Sequence, residues 1–431
     1  MKKSSWGLLS NEEHNVIHLT NRFTSSEVVC KNFPGITYGN GRSYGDVCLN
    51  PNGNLWDTSG LSKYIHFDDK NGMLHCESGT LLKDINNVTI PRGWMLPVTP
   101  GTQLGTVGGS IANDIHGKNH HKYASFGNHL CEINLLRTNG EMIKCGPNLN
   151  KEMFLATIGG IGLTGIIISA IIKLKKIESA YIESENIPYT NLEDFFNLSD
   201  ESEDLWEHNV SWLDCTSKNN AKGIFTRGNF VNDFNYDFEE KLNFKFPFKP
   251  KFSLINKASL NIFNQIYFQA GRLKSKKFVS SFNKSLYPLD SILEWNKIYG
   301  TNGFRQYQSV IPKKNRLDAT KEMLRIIKSS GEGSFLAVLK TFGNKKSIGM
   351  LSFPLEGVTL ALDFPSKGEN TIKLFSKLDK VVSEAGGRIY MAKDSCMTPE
   401  MFEIGYPKFR EFLEYRDDGV SSSMSRRLLG S

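Results

Sequence analysis

The stretch TPGTQLGTVGGSIANDIHGKNHHKYASFGNH, residues 99–129, contains six glycines and four of the chain's nine histidines. Because glycine has no Cβ and adopts positive φ at little cost, such a cluster lets the backbone approach a ligand closely. Two further glycine-rich turns, GNGRSYGD at residues 39–46 and GGIGLTG at residues 159–165, also lie beside apolar, strand-like runs. Together the three turns indicate one extended ligand that carries a pyrophosphate.

The composition is typical of a globular protein with two or three domains. The chain has 431 residues, of which 39% are hydrophobic and 23% are charged. Its net charge of +7, from 52 basic and 45 acidic residues, favours an anionic ligand or an anionic membrane surface without requiring nucleic acid. We therefore expect no nucleic-acid partner.

The cysteines and the apolar runs bear on the compartment. Seven scattered cysteines without a CxxC pair predict free thiols in a reducing environment. Polar residues interrupt the N-terminal MKKSSWGLLSNEEHNVIHL, unlike the core of a signal peptide. The longest apolar run, residues 166–172, is far shorter than the roughly 18 residues of a membrane span. These features predict a cytoplasmic protein, with peripheral contact at the inner face of the membrane left open.

The first 175 residues are predicted to form mainly strands and turns, with strands at residues 55–57, 73–77, 133–137 and 165–174. The Asn139-Gly140 pair between apolar runs predicts a hairpin. Apolar periodicity predicts helices at residues 316–330 and 368–385, the second ending at Gly386-Gly387. Residues 388–392 are predicted to form a strand that ends at Lys393.

The GNGRSYGD turn has the composition of an anion site. Consecutive backbone N–H groups in a tight turn form a concavity for phosphate, to which Arg42 and Ser43 can add donors. A plain surface turn remains the alternative for a single glycine-rich octet. The spacing is not the dinucleotide fingerprint G-x-G-x-x-G after a strand, so a Rossmann dehydrogenase is disfavoured.

The histidines allow two interpretations. Asp114, His116, His120 and His121 have D-x-H and H-x-x-x-H spacing, which occurs in metal sites. However, an i, i+4 histidine pair needs a helix, and the intervening Gly117 and Asn119 are poor helix formers. We therefore expect no metal, and we predict a polar loop whose rings contact the backbone and a bound phosphate group.

These segments carry a family resemblance. GNGRSYGD, residues 100–121, SFGNH at residues 125–129 and IGGIGLTGII at residues 158–167 resemble the FAD-binding domain of the vanillyl-alcohol-oxidase flavoproteins, the PCMH type. Within that family they are most similar to the oxidases of polyprenyl-phosphate-linked ribose. The similarity continues through SWLDC at residues 211–215, GFRQYQSVIP, LDFP, GGRIYMAKDS at residues 386–395 and the closing SRRL.

The resemblance implies an α+β fold with three parts. The FAD-binding domain would span residues 1–179 and consist of two subdomains. A substrate domain with an antiparallel sheet and flanking helices would span residues 180–387, and residues 388–431 would complete the FAD-binding domain. The composition change near Ala180, where the glycine turns stop, agrees with the first boundary.

The resemblance also implies FAD as the cofactor. In many relatives a histidine after the GRS motif attaches the flavin covalently, and Tyr44 holds that place here, so we predict noncovalent FAD. The residues that match the family's cofactor site are Gly39, Asn40, Gly41, Arg42, Ser43, Tyr44, Gly45, Pro100, Gly101, Thr102, Thr106, Gly108, Gly109, Ala112, Asn113, His116, Gly117, Asn119, His120, Gly162, Gly165 and Ile166.

The reaction that the resemblance implies is oxidation of the 2-hydroxyl of a polyprenyl-phosphate-linked ribose to a 2-keto sugar, with the hydride passing to flavin N5. A separate NAD(P)H-dependent reductase would complete the epimerisation to arabinose. Lys393 in AKDS matches the family's lysine beside the reacting hydroxyl, and Tyr44 and His116 are the other catalytic candidates. The residues that match the substrate side are Lys118, Tyr287, Gln306, Gln308, Lys340, Thr359 and Ala361.

This sequence departs from the family pattern in two places, so the resemblance does not fix which sugar the protein acts on. Thr359 and Ala361 stand where the best-known members have Asn and Cys, and Ser423 stands where an aspartate is common. The alternatives are an FAD-dependent alditol or sugar-lactone oxidase that acts on free sugars, and a flavin-free carrier of polyprenyl-phosphate sugars.

Residues 244–268 interleave aromatic residues with four lysines and contain no acidic residue. Such a segment is able to lie on an anionic membrane or cover a prenyl chain. An ordinary lid packed on the substrate domain is the equally weighted alternative.

Overall fold

The computed structural model describes residues 1–10, 12–217, 221–238, 244–273 and 276–430. It has an α+β fold, in which three main sheets carry the glycine turns and the candidate site residues. Its strands are β1 (Asn15–His18), β2 (Gly35–Tyr38), β3 (Asn54–Asp57), β4 (Tyr64–Asp68), β5 (Met73–Glu77), β6 (Trp94–Met95), β7 (Leu130–Leu136), β8 (Met142–Cys145), β9 (Ile166–Lys173), β10 (Lys175–Lys176), β11 (Tyr181–Tyr189), β12 (His208–Asp214), β13 (Lys222–Phe230), β14 (Phe244–Lys245), β15 (Phe278–Ser281), β16 (Ile292–Leu293), β17 (Phe304–Pro312), β18 (Val338–Phe342), β19 (Gly357–Pro365) and β20 (Arg388–Ile389).

The three longest α-helices of the described residues lie in the second half of the chain. They are α1 (Ser25–Cys30), α2 (Leu82–Thr89), α3 (Val107–Ala112), α4 (His120–Tyr123), α5 (Lys151–Thr157), α6 (Leu192–Ser202), α7 (Lys257–Leu273), α8 (Phe282–Leu286), α9 (Arg316–Ser330), α10 (Glu369–Glu384), α11 (Pro399–Gly405), α12 (Phe409–Leu413) and α13 (Ser423–Leu429). No helix in the described ranges is long and apolar enough to span a bilayer.

Two sheets organise the first 175 residues. The parallel sheet has the order β1-β3-β2, and the antiparallel sheet has the order β4-β5-β9-β7-β8. Strand β9 reads IIISAIIK and is almost wholly buried, as expected for a central strand covered on both faces. The predicted hairpin is confirmed, because Gly140 N–H donates to the Arg137 carbonyl at 3.0 Å between β7 and β8.

The large antiparallel sheet has the order β15-β11-β13-β12-β18-β19-β17-β20. Successive side chains of a strand point to opposite faces. On β17, Tyr307 therefore points away from Gln306 and Gln308 and donates to Asp379 Oδ1 of α10 at 2.9 Å. Helices α9 and α10 cover that face with apolar residues such as Met323 and Leu378. The opposite face carries Gln306 and Gln308 toward the first half of the chain.

The predicted helices at residues 316–330 and 368–385 are confirmed as α9 and α10. The predicted strand at residues 388–392 is wrong beyond Ile389, because the chain turns and Lys393 N–H donates to the Tyr390 carbonyl at 3.0 Å. The chain that follows β20 contacts the glycine turn: Tyr44 N–H donates to the Ala392 carbonyl at 3.0 Å. The domain boundaries at residues 179 and 387 stay predictions.

Candidate active site

One cavity of about 1020 Å³ lies between the glycine turns and the large sheet. Every candidate site residue from the sequence lines this cavity except Gly45, Asn119, His120, Ile166 and Tyr287. The fold thus brings residues that are far apart in the chain, such as Gly39, Gly162 and Lys393, to the lining of the same cavity. Which of them bind cofactor and which bind substrate stays a prediction.

The five exceptions are held behind the wall by packing. A Cβ on Gly45 would lie 1.5 Å from the Asp394 carbonyl oxygen, so this glycine admits the returning chain rather than a ligand. Asn119 donates to the Pro97 carbonyl at 2.9 Å, and Ile166 is fully buried in β9. His120 packs on the Phe342 ring at 4.5 Å between centroids.

Tyr287 is the most informative of these five residues. Its side chain is 1% exposed and lies outside the cavity lining. Its hydroxyl is 2.5 Å from Thr99 Oγ1 and accepts from Asn86 Nδ2 at 3.1 Å. Thr99 itself lines the cavity. Tyr287 therefore supports the wall from behind.

The glycine turns form a cradle that fits an extended polar ligand. Gly41 has φ +59° and Gly162 has φ +81°, and L side chains rarely adopt this left-handed conformation. Within the described chain, the backbone N–H groups of residues 40–43 have no protein acceptor. Four buried polar atoms of the described lining also lack a protein partner: Arg42 Nε, Ser78 Oγ, Asn113 Oδ1 and Asp363 Oδ2.

Unpaired buried donors and acceptors are costly, so a ligand with matching groups is needed. Backbone N–H groups in a tight turn suit phosphate, and polar side chains suit hydroxyl and ring atoms. The residues present therefore fit FAD.

Lys393 lies in the turn after β20 and projects onto Tyr44. Its Nζ is 3.6 Å from the centroid of the Tyr44 ring, a cation–π distance. Burial lowers the pKa of Lys393, and the nearby Asp363 carboxylate raises it in part. Burial also raises the pKa of Tyr44 well above its usual value, so this ring remains a neutral phenol. A lysine in this setting is able to hold or release a proton near neutral pH.

Asp363 is a site residue that the sequence analysis missed. It is fully buried, lines the cavity and accepts from Gln306 Nε2, while its Oδ2 has no hydrogen-bond partner. Burial raises the pKa of this carboxyl group, and the Lys393 cation opposes the shift. A period-two pattern could have found it, because Thr359, Ala361 and Asp363 share one face of β19.

A chain of polar contacts joins five of the predicted residues. Lys340 Nζ lies 2.8 Å from His116 Nδ1 and donates to the Gly117 carbonyl at 3.0 Å. Gln308 Nε2 lies 3.1 Å from His116 Nε2 and donates to Thr359 Oγ1 at 3.2 Å. Burial lowers the pKa of Lys340 to about 7 and that of His116 far below its usual value. His116 is therefore a neutral ring between the Lys340 amine and the Gln308 amide, and only one of its two nitrogens accepts a hydrogen bond.

Lys118 adds a third buried amine. It lines the cavity, and its Nζ donates to the Ser285 carbonyl of α8 at 2.5 Å. Burial lowers its pKa to about 8, so it is mostly cationic at neutral pH. Lys118, Lys340 and Lys393 thus surround one end of the cavity, which is the chemistry of a site for a phosphorylated ligand.

The residues of the alternative metal interpretation have other partners. Asp114 accepts from Ser125, Ser352 and the Gly127 N–H group. His121 Nε2 lies 2.7 Å from the Trp206 carbonyl. Across the described ranges, no group of three or more His, Cys, Asp or Glu side chains is placed to hold a metal ion.

Comparison with known proteins agrees with this geometry. Residues 26–146 match the FAD binding domain family. Over 416 residues the chain is 35% identical to decaprenylphosphoryl-β-D-ribose oxidase of Mycolicibacterium smegmatis, which covers 91% of this chain and 88% of that protein. The chain belongs to this family of FAD-dependent oxidases. The predicted fold class, FAD cofactor and oxidoreductase class are confirmed.

Other relatives match the sequence of this chain to different extents. An uncharacterised protein of Streptomyces coelicolor is 25% identical over 80% of this chain and 99% of its own length. A D-lactate dehydrogenase of Anaerostipes hadrus is 30% identical over 31% of this chain and 29% of its own. Only a shared part of the sequence therefore links the lactate enzyme to this one.

Proposed function

We propose that this protein oxidises the 2-hydroxyl of a polyprenyl-phosphate-linked ribose to a 2-keto sugar. The observation that carries the proposal is the buried Lys393 amine over the Tyr44 ring, in the same cavity as the glycine cradle. The full-length similarity to a decaprenylphosphoryl-β-D-ribose oxidase supports the sugar. The predicted oxidase of free alditols or sugar lactones would have no use for the three buried amines around the cavity.

The residues of this chain would have two tasks: some transfer the proton of the substrate hydroxyl, and others bind the sugar. FAD, when bound, supplies the hydride acceptor. The neutral Lys393 amine takes the proton of the substrate's 2-hydroxyl and becomes an ammonium group. The carboxylate of Asp363 stabilises that ammonium, since it is the charge that raises the pKa of Lys393. Tyr44 limits water access and accepts the cation on its ring face.

Positioning of the sugar would fall to the amides and to the His116 chain. Gln306 and Gln308 point from β17 into the cavity, and their carbonyl and N–H groups suit sugar hydroxyls. Lys118 and Lys340 offer ammonium groups to the phosphate. His116 remains neutral because burial and Lys340 lower its pKa, so it hydrogen-bonds and carries no charge.

We further propose that the protein works at a membrane surface and hands its product to a separate NAD(P)H-dependent reductase. The apolar surface, defined here as the exposed apolar side chains of residues 244–266, contains Phe244, Phe248, Phe252, Leu254, Ile262 and Ile266. Phe252 is 82% exposed, and Lys249 and Lys251 lie beside it in sequence. Exposed aromatic residues among lysines favour an anionic bilayer. The alternative of a packed lid predicts burial of these same side chains.

The central test is anaerobic mixing of the holoenzyme with a synthetic polyprenyl-phosphoryl ribose while flavin absorbance is followed. We expect bleaching with the lipid-linked sugar and none with free ribose or alditols. Lys393→Ala should retain FAD and lose bleaching by about 10²–10⁴-fold in rate, the usual contribution of a general base. The matched control is Lys373→Ala on the exposed side of α10. Bleaching of Lys393→Ala at the normal rate would refute the assignment.

The membrane contact has its own test. Ile262→Asp with Ile266→Asp should reduce sedimentation with anionic liposomes, while bleaching with a soluble short-chain substrate stays normal. Gln265→Asp with Gln269→Asp, which adds the same two charges at exposed polar positions of α7, is the control for charge alone. Equal liposome binding of all three proteins would contradict the proposal.

A further inference from the structure

The cavity extends beyond the sugar and flavin residues. Its volume of about 1020 Å³ is at the upper end of the roughly 300–1,000 Å³ of small-molecule sites. Part of its wall consists of large apolar side chains, and we call this part the apolar arm. The arm is lined by Trp212, Ile224, Phe263, Tyr267, Phe335 and Leu336.

Helix α7 forms one side of the apolar arm. Phe263, Tyr267 and Ala270 follow each other at helical spacing and line the cavity, so they form one stripe of the helix. A second stripe, with Leu260 and Phe268, is buried against the sheet. Phe263 and Tyr267 are 37% and 45% exposed, so the arm opens to the outside between the rings of this helix.

The outer stripe of α7 belongs to the apolar surface. Ile262 and Ile266 are 62% and 65% exposed and lie on the same helix as the arm-lining rings. Between its terminal Lys257 and Arg272, α7 carries no charged residue. The exposed apolar stripe of Ile262 and Ile266 lies among the polar Gln265 and Gln269, and it is this stripe that other apolar matter would cover. One helix thus joins the mouth of the cavity to the surface proposed to meet a bilayer.

Lysine residues stand beside the arm in the same cavity. Lys118 and Lys284 both line it, and Lys118 donates to the Ser285 carbonyl of α8. A ligand with an anionic phosphate at one end and a hydrocarbon tail fits this cavity, because the lysines would contact the phosphate and the apolar arm would contact the tail. A free sugar or a nucleotide would leave the rings of the arm in contact with water.

We propose that the apolar arm binds the isoprene units next to the phosphate of the lipid-linked substrate and admits them from the bilayer past α7. This inference rests on the proposed function and adds to it a lipid subsite and its entrance. The occupant is the prenyl chain of the substrate, because the arm is continuous with the cavity that holds Lys393. Packing at Gly271 fixes the helix there, since a Cβ would lie 2.6 Å from Ile224 Cγ1.

The test narrows the arm without touching the reacting end. Ala270 and the neighbouring Gln269 are both exposed on α7, but only Ala270 lines the cavity. We compare Ala270→Trp with Gln269→Trp on two substrates, farnesyl-phosphoryl ribose and dimethylallyl-phosphoryl ribose. Ala270→Trp should raise KM for the farnesyl substrate about tenfold or more, since two buried isoprene units are displaced. KM for the dimethylallyl substrate and the maximal bleaching rate should not change, and Gln269→Trp should behave as the unmodified protein.

A binding measurement keeps the inference separate from the proposed function. Calorimetric titration of the holoenzyme with farnesyl phosphate requires no turnover, and Ala270→Trp should weaken this binding about tenfold. Phe263→Ala, which removes an arm ring and fills nothing, should weaken it as well. If the protein binds farnesyl phosphate tightly but its flavin is not bleached by the lipid-linked sugar, the proposed reaction is refuted and the lipid subsite is supported. Equal affinity for farnesyl and dimethylallyl phosphate, or for farnesyl and dodecyl phosphate, would overturn the prenyl subsite.

Discussion

Replacing Asp363 with asparagine tests how the site sets the proton affinity of its base. The Asp363 carboxylate raises the pKa of Lys393 against the larger lowering by burial. Asparagine keeps the shape of the side chain and removes the charge. An opposite charge within about 4–6 Å shifts a pKa by about 1–3 units. We therefore expect the pKa of Lys393 to fall by about 1 unit or more in Asp363→Asn.

The assay is the rate of flavin bleaching, followed anaerobically at saturating substrate over a range of pH. The reaction needs the neutral amine, so the rate rises as Lys393 loses its proton and then levels off. In Asp363→Asn this rise should occur about 1 pH unit or more lower. The plateau should also fall, because a weaker base accepts the hydroxyl proton less readily.

The control is Asp379→Asn. Asp379 is also a carboxyl group whose pKa burial raises to about 7, but it lies behind β17, where it accepts from Tyr307. Its replacement should leave the pH of the rise unchanged. A rise at the same pH in Asp363→Asn, or one displaced to higher pH, would refute the view that Asp363 stabilises the Lys393 ammonium.

Other variants separate the cofactor from the protein scaffold. Gly101→Ala should weaken FAD binding without lowering the thermal stability of the apoprotein, because a Cβ there meets no protein atom within 4 Å; unchanged FAD affinity would contradict a close approach by the cofactor. Acid denaturation should release all FAD, since Tyr44 replaces the covalent histidine, and flavin that precipitates with the chain would contradict this. Arg427→Ala should lower the free energy of unfolding by about 2 kcal/mol in urea titrations, because it leaves Asp46 and Asp394 without their cation; an unchanged midpoint would show that the ion pairs contribute nothing. KM for the phosphorylated substrate should rise with pH above about 7, since Lys340 and Lys118 have pKa values of about 7 and about 8, and a flat KM would exclude them as phosphate ligands.

The sequence predicts the local elements well where periodicity or turn chemistry is strong. The spacing of apolar residues in α9 predicts a helix, and the Asn-Gly turn after β7 predicts a hairpin. The strand that the sequence predicts before Lys393 ends early because a tertiary contact replaces sheet pairing there. The Tyr44 N–H group donates a hydrogen bond to the Ala392 carbonyl. Local pattern contains no information about that partner, which lies far away in the chain.

The site divides in the same way. Glycine turns and the AKDS segment identify residues by type, and most of them do line the cavity. Residue type alone does not say on which side of the cavity wall a residue lies. The sequence predicts Tyr287 in the cavity, whereas in the structure Thr99 lines it and Tyr287 lies behind Thr99. Asp363 was missed for the opposite reason. It is an acidic residue in an apolar strand, and only the alternation with Thr359 and Ala361 shows that it faces the lysine.

The buried amines explain why a phosphate on the sugar matters to the chemistry as well as to binding. Burial, and after it the charges of Lys118 and Lys393, lower the pKa of Lys340, and burial with the charges of Lys340 and Lys393 lowers that of His116. An uncharged alditol would leave ammonium groups in a dry cavity without an anion, which is energetically costly. A phosphodiester supplies the anion to Lys118 and Lys340. Lys393 has its own carboxylate partner in Asp363, so it does not need the phosphate and remains free to exchange a proton. The site thus assigns phosphate binding to Lys118 and Lys340 and proton transfer to Lys393.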